Sequence, residues 1–123
     1  MTPTSVVCFK WRARRGPDRF DAHSVNVLRS MLARHFARPH RFICVTDDAA
    51  GLDREVEVVE LWNELADLAN PLGGHFPSCY RRLKLFQDDA AERFGERFVA
   101  LDLDAVVTSD ITRLLDRDDD FVA

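Results

Sequence analysis

The chain has 123 residues, 46% of them hydrophobic and 31% charged. This fits one small domain with a real core and excludes a disordered or fibrous chain. Its 17 basic and 21 acidic residues give a net charge of −4, which leaves no general electrostatic case for nucleic-acid or acidic-membrane binding. The three cysteines, Cys8, Cys44 and Cys79, are odd in number and lack zinc-site spacing. Met1-Thr2-Pro3-Thr4-Ser5 does not lead into a signal-peptide or membrane-spanning run, so a reduced, cytoplasmic protein is expected.

In chain order, Ser5-Val6-Val7-Cys8-Phe9 predicts a buried first strand over residues 5–11, running into the basic loop Lys10-Trp11-Arg12-Ala13-Arg14-Arg15 and the Gly16-Pro17 breaker. A helix is expected over residues 22–37. Asp21 or Ser24 can cap it, Val25, Leu28, Met31, Leu32, His35 and Phe36 form its apolar stripe, and Pro39 ends it. Strands follow at 41–47 and 56–61, then an irregular stretch over 62–77 with Asn70-Pro71, Gly73-Gly74 and His75. A single helix is predicted over 78–94, with Cys79, Leu83, Phe86 and Ala90 on one face. A fourth strand is predicted over 97–103, and Ser109 or Asp110 caps a short helix through Ile111, Leu114 and Leu115. Strands that alternate with helices in this way imply an α/β fold with a mainly parallel sheet. Ligands of such sheets bind beyond the carboxyl ends of the strands. Three candidate places lie there: Phe9-Lys10-Trp11, Thr46-Asp47-Asp48 and Asp102-Leu103-Asp104.

The last of these carries the most chemistry. In Phe98-Val99-Ala100-Leu101-Asp102-Leu103-Asp104-Ala105-Val106-Val107, an apolar run delivers two carboxylates and stays apolar afterwards. On a strand, Asp102 and Asp104 would share a face. Their mutual repulsion and desolvation would call for a divalent cation, a bound hydroxyl or a basic partner. Mg²⁺ and Mn²⁺ take such oxygen ligands and accompany phosphate-bearing substrates. The expectation is a metal–phosphate site at a strand end.

Two blocks carry a family resemblance. Tyr80-Arg81-Arg82-Leu83-Lys84-Leu85 is similar to the Tyr-x-Arg-Leu-Lys-Leu helix of glycosyltransferase family 8. Leu101-Asp102-Leu103-Asp104-Ala105-Val106-Val107, with Ser109-Asp110-Ile111 and Leu114-Leu115 after it, resembles that family's Asp-x-Asp strand and the short helix that follows. The likeness is specific over residues 78–117 and architectural over 1–61. It implies a GT-A, Rossmann-like fold and a metal-dependent transfer of a hexose from a nucleotide-diphosphate sugar, a UDP-sugar by preference, to a glycan, lipid or protein acceptor. Carried over, Asp102 and Asp104 hold Mn²⁺ or Mg²⁺ against the donor diphosphate, with Asp104 the firmer ligand and Asp102 also facing ribose or sugar. Arg82 matches the family's arginine near the donor phosphates; its alternative is an ordinary exposed helix arginine. Phe9, Lys10 and Trp11 sit where the family's first strand ends against the base, although small or acidic residues are usual nearby. Asp47 is either a nucleotide hydrogen-bond acceptor or a plain turn aspartate.

Family members take a further metal ligand, often a histidine, from a second half of the chain. His23, His35 and His40 lie in or beside the first helix and are poor substitutes. Asp118-Asp119-Asp120-Phe121-Val122-Ala123 reads as a turn into a strand barely begun. Residues 1–123 are therefore expected to be one nucleotide-sugar-binding domain, the front part of a longer transferase, that alone self-associates or is poorly stable. Two other readings remain. One is a non-catalytic nucleotide-sugar-binding remnant. The other is a haloacid-dehalogenase-type phosphatase with Asp102 as nucleophile and Asp104 as acid–base, although that motif normally opens a chain.

Overall fold

A strand buried on both faces needs a nearly continuous apolar run. Thr4–Lys10 supplies one and forms β1, in which every residue from Ser5 onward is buried. The computed structural model describes residues 3–13, 16–73 and 79–122. Within them, β1 lies inside a four-stranded, wholly parallel sheet with β2 (His40–Thr46), β3 (Glu57–Glu60) and β4 (Phe98–Ala100), in the order β3-β2-β1-β4. Val7 stands opposite Ile43 on one side and Ala100 on the other.

The alternation of β1 and β2 divides the core in two. Val6, Cys8, Phe42 and Cys44 face helix α1 (Ala22–His35), which turns Val25, Leu28, Met31 and Leu32 inward. Asp21 caps α1 by accepting from the Ser24 amide at 3.1 Å. The Phe36 ring stacks on His40 at 4.7 Å where the helix gives way to β2. Val7, Phe9, Ile43 and Val45 face the opposite layer, built from Trp62, Leu85, Ala90 and Phe94. The result is a sheet with helical cover on both sides. Cys8 and Cys44 are in-register neighbours in its centre, buried and unbridged. Hydrogen bonding between the two thiols, together with burial, pushes the Cys8 thiol far up.

Three expectations need correction. The first concerns the single helix over 78–94. The chain instead forms a 3₁₀ helix, Tyr80–Phe86, and a separate short helix α2, Ala90–Phe94. Trp62 Nε1 donates to the Arg81 carbonyl at 2.9 Å, occupying an acceptor that a continuous α-helix would use. The three-residue repeat then turns Arg82 and Leu85 toward the sheet. It lines Leu83 and Phe86 up outside, where they are 50% and 69% exposed. Of the expected face, Cys79 is also exposed and only Ala90 is buried. Helix α2 stops at Gly95, whose φ of +89° suits glycine and whose amide donates to the Ala91 carbonyl at 2.9 Å.

The second correction is the length of the edge strands. β3 spans four residues and β4 three, where six and seven were expected. The third concerns the Asp-x-Asp segment. Leu101 makes the last ladder bond, to the Val7 carbonyl at 2.9 Å. The chain then leaves the sheet in a turn closed by the Ala105 amide on the Asp102 carbonyl at 3.0 Å. Leu103 drives that turn by burying itself on the α1 side. Asp102 and Asp104 are therefore turn residues and do not share a strand face.

Beyond the turn, α3 (Thr112–Leu115) has Ile111 at its N-cap, and Asp110 just before it accepts from the Thr112 amide at 2.8 Å. The Ile111 amide donates to the His35 carbonyl and Thr112 Oγ1 accepts from the Ala37 amide, which ties α3 to the end of α1. Among the described residues, no helix is long and apolar enough to cross a membrane.

Candidate functional site

The strand order creates a distinctive place. From β1 the chain moves outward through β2 to β3, then returns to the other side of β1 as β4. Connections on the two sides of such a reversal diverge and leave a crevice at the carboxyl ends of the two strands, where open parallel sheets bind ligands. Here those ends are Phe9 to Trp11 on β1 and Leu101 to Asp104 after β4.

Phe9 is 5% exposed and forms the floor. Its ring meets Trp62 edge-on at 5.8 Å and Trp11 at 6.2 Å. Trp11 follows the strand and stays partly uncovered. The 3₁₀ helix brings Arg82 over this floor, its guanidinium 5.6 Å from the Phe9 ring and 5.9 Å from that of Trp11. Arg81 also lies 5.9 Å from Trp11. Arg82 Nη1 donates to Asp102 Oδ1, while Arg82 Nε is buried without an acceptor among the described residues. Phe9, Trp11, Arg82 and Asp102 thus converge at the crevice from three separate parts of the chain.

The remaining candidates fall elsewhere. Asp104 is 60% exposed on its side chain and lies 3.8 Å from Arg19 Nη2, a separation beyond hydrogen bonding. Lys10 points to the opposite face from Phe9. It is 7% exposed, and its Nζ donates to the Asp48 carbonyl at 2.8 Å, so its ammonium belongs to the β2 end and not to the Phe9 floor. Both oxygens of Asp47 accept from the Arg12 amide at 3.2 Å, which fixes the loop after β1. Its neighbour Asp48 pairs with Arg12 at 3.0 Å. The Ala50 amide and then Arg12 hold the Asp48 carboxyl below its usual range. His75 lies outside the described residues.

Sequence reasoning missed Arg81, Arg19 and the Arg12–Asp48 clasp. Arg81 sits beside the motif arginine, and only the 3₁₀ winding shows that both reach Trp11. Lys84 of the same motif is buried, its Nζ donating to Glu64 at 2.9 Å and lying 5.2 Å from the Trp62 ring.

Two carboxylates on one four-residue turn are hard oxygen donors of the kind Mg²⁺ and Mn²⁺ take. Among the described residues, no group of three metal-ligating side chains is assembled. Such a pair suits a cation that keeps waters and completes its shell with ligand phosphate oxygens, a common arrangement for Mg²⁺. It does not form a closed protein cage. The crevice therefore offers aromatic faces, a cation able to grip phosphate oxygens bidentately, and an acidic turn.

In comparisons with known proteins, the chain gives no significant match to any family model, curated protein or solved structure.

Proposed function

We propose that the chain is the donor-binding part of a metal-dependent glycosyltransferase with a GT-A-type fold, resembling family 8. It would bind a nucleotide-diphosphate sugar, UDP-linked by preference, whose hexose is passed to a glycan, lipid or protein acceptor. The observation that carries this reading is the convergence of Phe9, Trp11, Arg82 and Asp102 on the crevice between β1 and β4.

Each residue has work suited to such a donor. The open part of Trp11 offers a face on which a pyrimidine base can stack. Arg82, held over Phe9 and Trp11, can take diphosphate oxygens in a forked pair of hydrogen bonds. Asp104, exposed and without a close hydrogen-bonding partner among the described residues, would be the firmer ligand for Mn²⁺ or Mg²⁺, and Asp102 the second. When bound, the ion supplies charge neutralisation of the diphosphate as leaving group. Lys10 and Asp47 have no part in this arrangement, because both are engaged in the loops that frame it.

Calorimetric titration with UDP-glucose, UDP-galactose and UDP, each with and without Mn²⁺, tests the reading. Metal-dependent binding that Asp104→Ala abolishes is expected, with the circular dichroism of the chain unchanged. Affinity indifferent to both chelator and Asp104→Ala would show the metal role to be wrong.

A further inference from the structure

The crevice is neutralised from within. The guanidinium that the proposed site needs for a diphosphate is bonded to Asp102, one of the two carboxylates it needs for a cation. A dication approaching Asp102 meets the charge of Arg82 at a few ångströms, a costly juxtaposition. Yet the clasp is weak. The Arg82 and Asp102 side chains are 36% and 61% exposed, so water screens their pairing. Arg82 has somewhere else to go. Its guanidinium rests beside two aromatic rings that can hold it through a swing, and its buried Nε has no acceptor among the described residues. An anion can give that nitrogen a bond that Asp102 does not supply. Among the described residues, the cation beside Asp104 is Arg19 at 3.8 Å, beyond hydrogen bonding.

We propose that Arg82 and Asp102 form a latch that couples the two halves of the site: a phosphate-bearing ligand draws Arg82 off Asp102, and Asp102 is then free to take the cation. Anion and cation then favour each other's binding, and the coupling is reciprocal. The latch rests on the proposed function for the identity of its ligands, a diphosphate and a divalent cation.

Single-ligand titrations test it without mixing metal and phosphate in solution. Arg82→Gln releases Asp102 and is expected to tighten binding of Mn²⁺ alone by about two- to five-fold, the scale of an exposed ion pair. Arg81→Gln removes the same charge nearby without touching Asp102 and is expected to leave Mn²⁺ affinity almost unchanged. Conversely, Asp102→Asn is expected to tighten binding of pyrophosphate in the presence of chelator by a similar factor, whereas Asp104→Asn is not. Amide spectra check that each variant keeps the fold. Equal effects from the paired variants would mean bulk electrostatics, and no tightening would mean no latch; either result overturns the proposal. If these shifts appear while UDP-sugars fail to bind, the latch stands and the nucleotide-sugar reading falls. If UDP-sugars bind with Mn²⁺ and the shifts are absent, the latch falls alone.

Discussion

At the scale of single residues, carboxylates do most of the local ordering, and they do it while ionised. Asp21 caps α1, Asp48 holds the Ala50 amide and Arg12, and Asp110 holds the Thr112 amide where α3 begins. Each has its pKa lowered, Asp21 and Asp48 first by a backbone amide and Asp110 first by the Thr112 side chain. A carboxyl whose folded pKa lies below its unfolded one adds stability above the unfolded value and loses it as pH falls through the folded value. Asp21→Asn keeps a capping oxygen of similar quality but cannot titrate in the acid range. Wild type is expected to melt higher than Asp21→Asn near about pH 6, where the charge also favours the helix N-terminus. The gap should close as pH falls through the lowered pKa of Asp21. Melting curves across that range check this; a gap independent of pH would contradict the cap's ionised role.

At the scale of elements, the packing between the 3₁₀ helix and the sheet decides what reaches the crevice. Phe94 anchors α2 there. It is 1% exposed and meets Trp62 and Phe98 at centroid distances of 6.4 and 5.8 Å. Phe94→Ala is expected to cost about 3–5 kcal/mol, a large part of the 5–15 kcal/mol typical of a domain. Phe86→Ser is expected to cost no more than about 0.5 kcal/mol, as a surface change. Urea unfolding of the two variants checks the pair, and a large loss for Phe86→Ser would restore the continuous helix that the sequence suggests. The reason for that misreading is physical. A 3.6-residue period groups Leu83, Phe86 and Ala90, but the Trp62 indole bond to the Arg81 carbonyl comes from a segment with no pattern of its own. By contrast, α1, β1 and β2 were legible because their burial is set by local periodicity, and the cap at Asp21 by local hydrogen-bonding chemistry, whereas α3 has Ile111 and neither Ser109 nor Asp110 at its N-cap.

At the scale of the whole molecule, the parallel sheet was legible from the alternation of elements, but its strand order was not. Nothing local in the residues tells β4 to pair with β1, and that pairing creates the crevice. The site was accordingly half legible. Asp102, Arg82, Phe9 and Trp11 were named from the sequence and do meet. The two aspartates were expected on one strand face, but the burial of Leu103 folds them into a turn. Lys10 was grouped with its neighbours, but strand alternation sends it to the other face. The central claim is that a nucleoside diphosphate binds where β1 and β4 part. Its most direct test is the amide spectrum of isotope-labelled chain titrated with UDP and diamagnetic Mg²⁺. Shifts are expected to concentrate on Phe9, Trp11, Arg81, Arg82 and residues 101–104, and to vanish with chelator or with Asp104→Ala. Shifts confined to other surfaces, or no shifts at saturating UDP and Mg²⁺, would contradict the account.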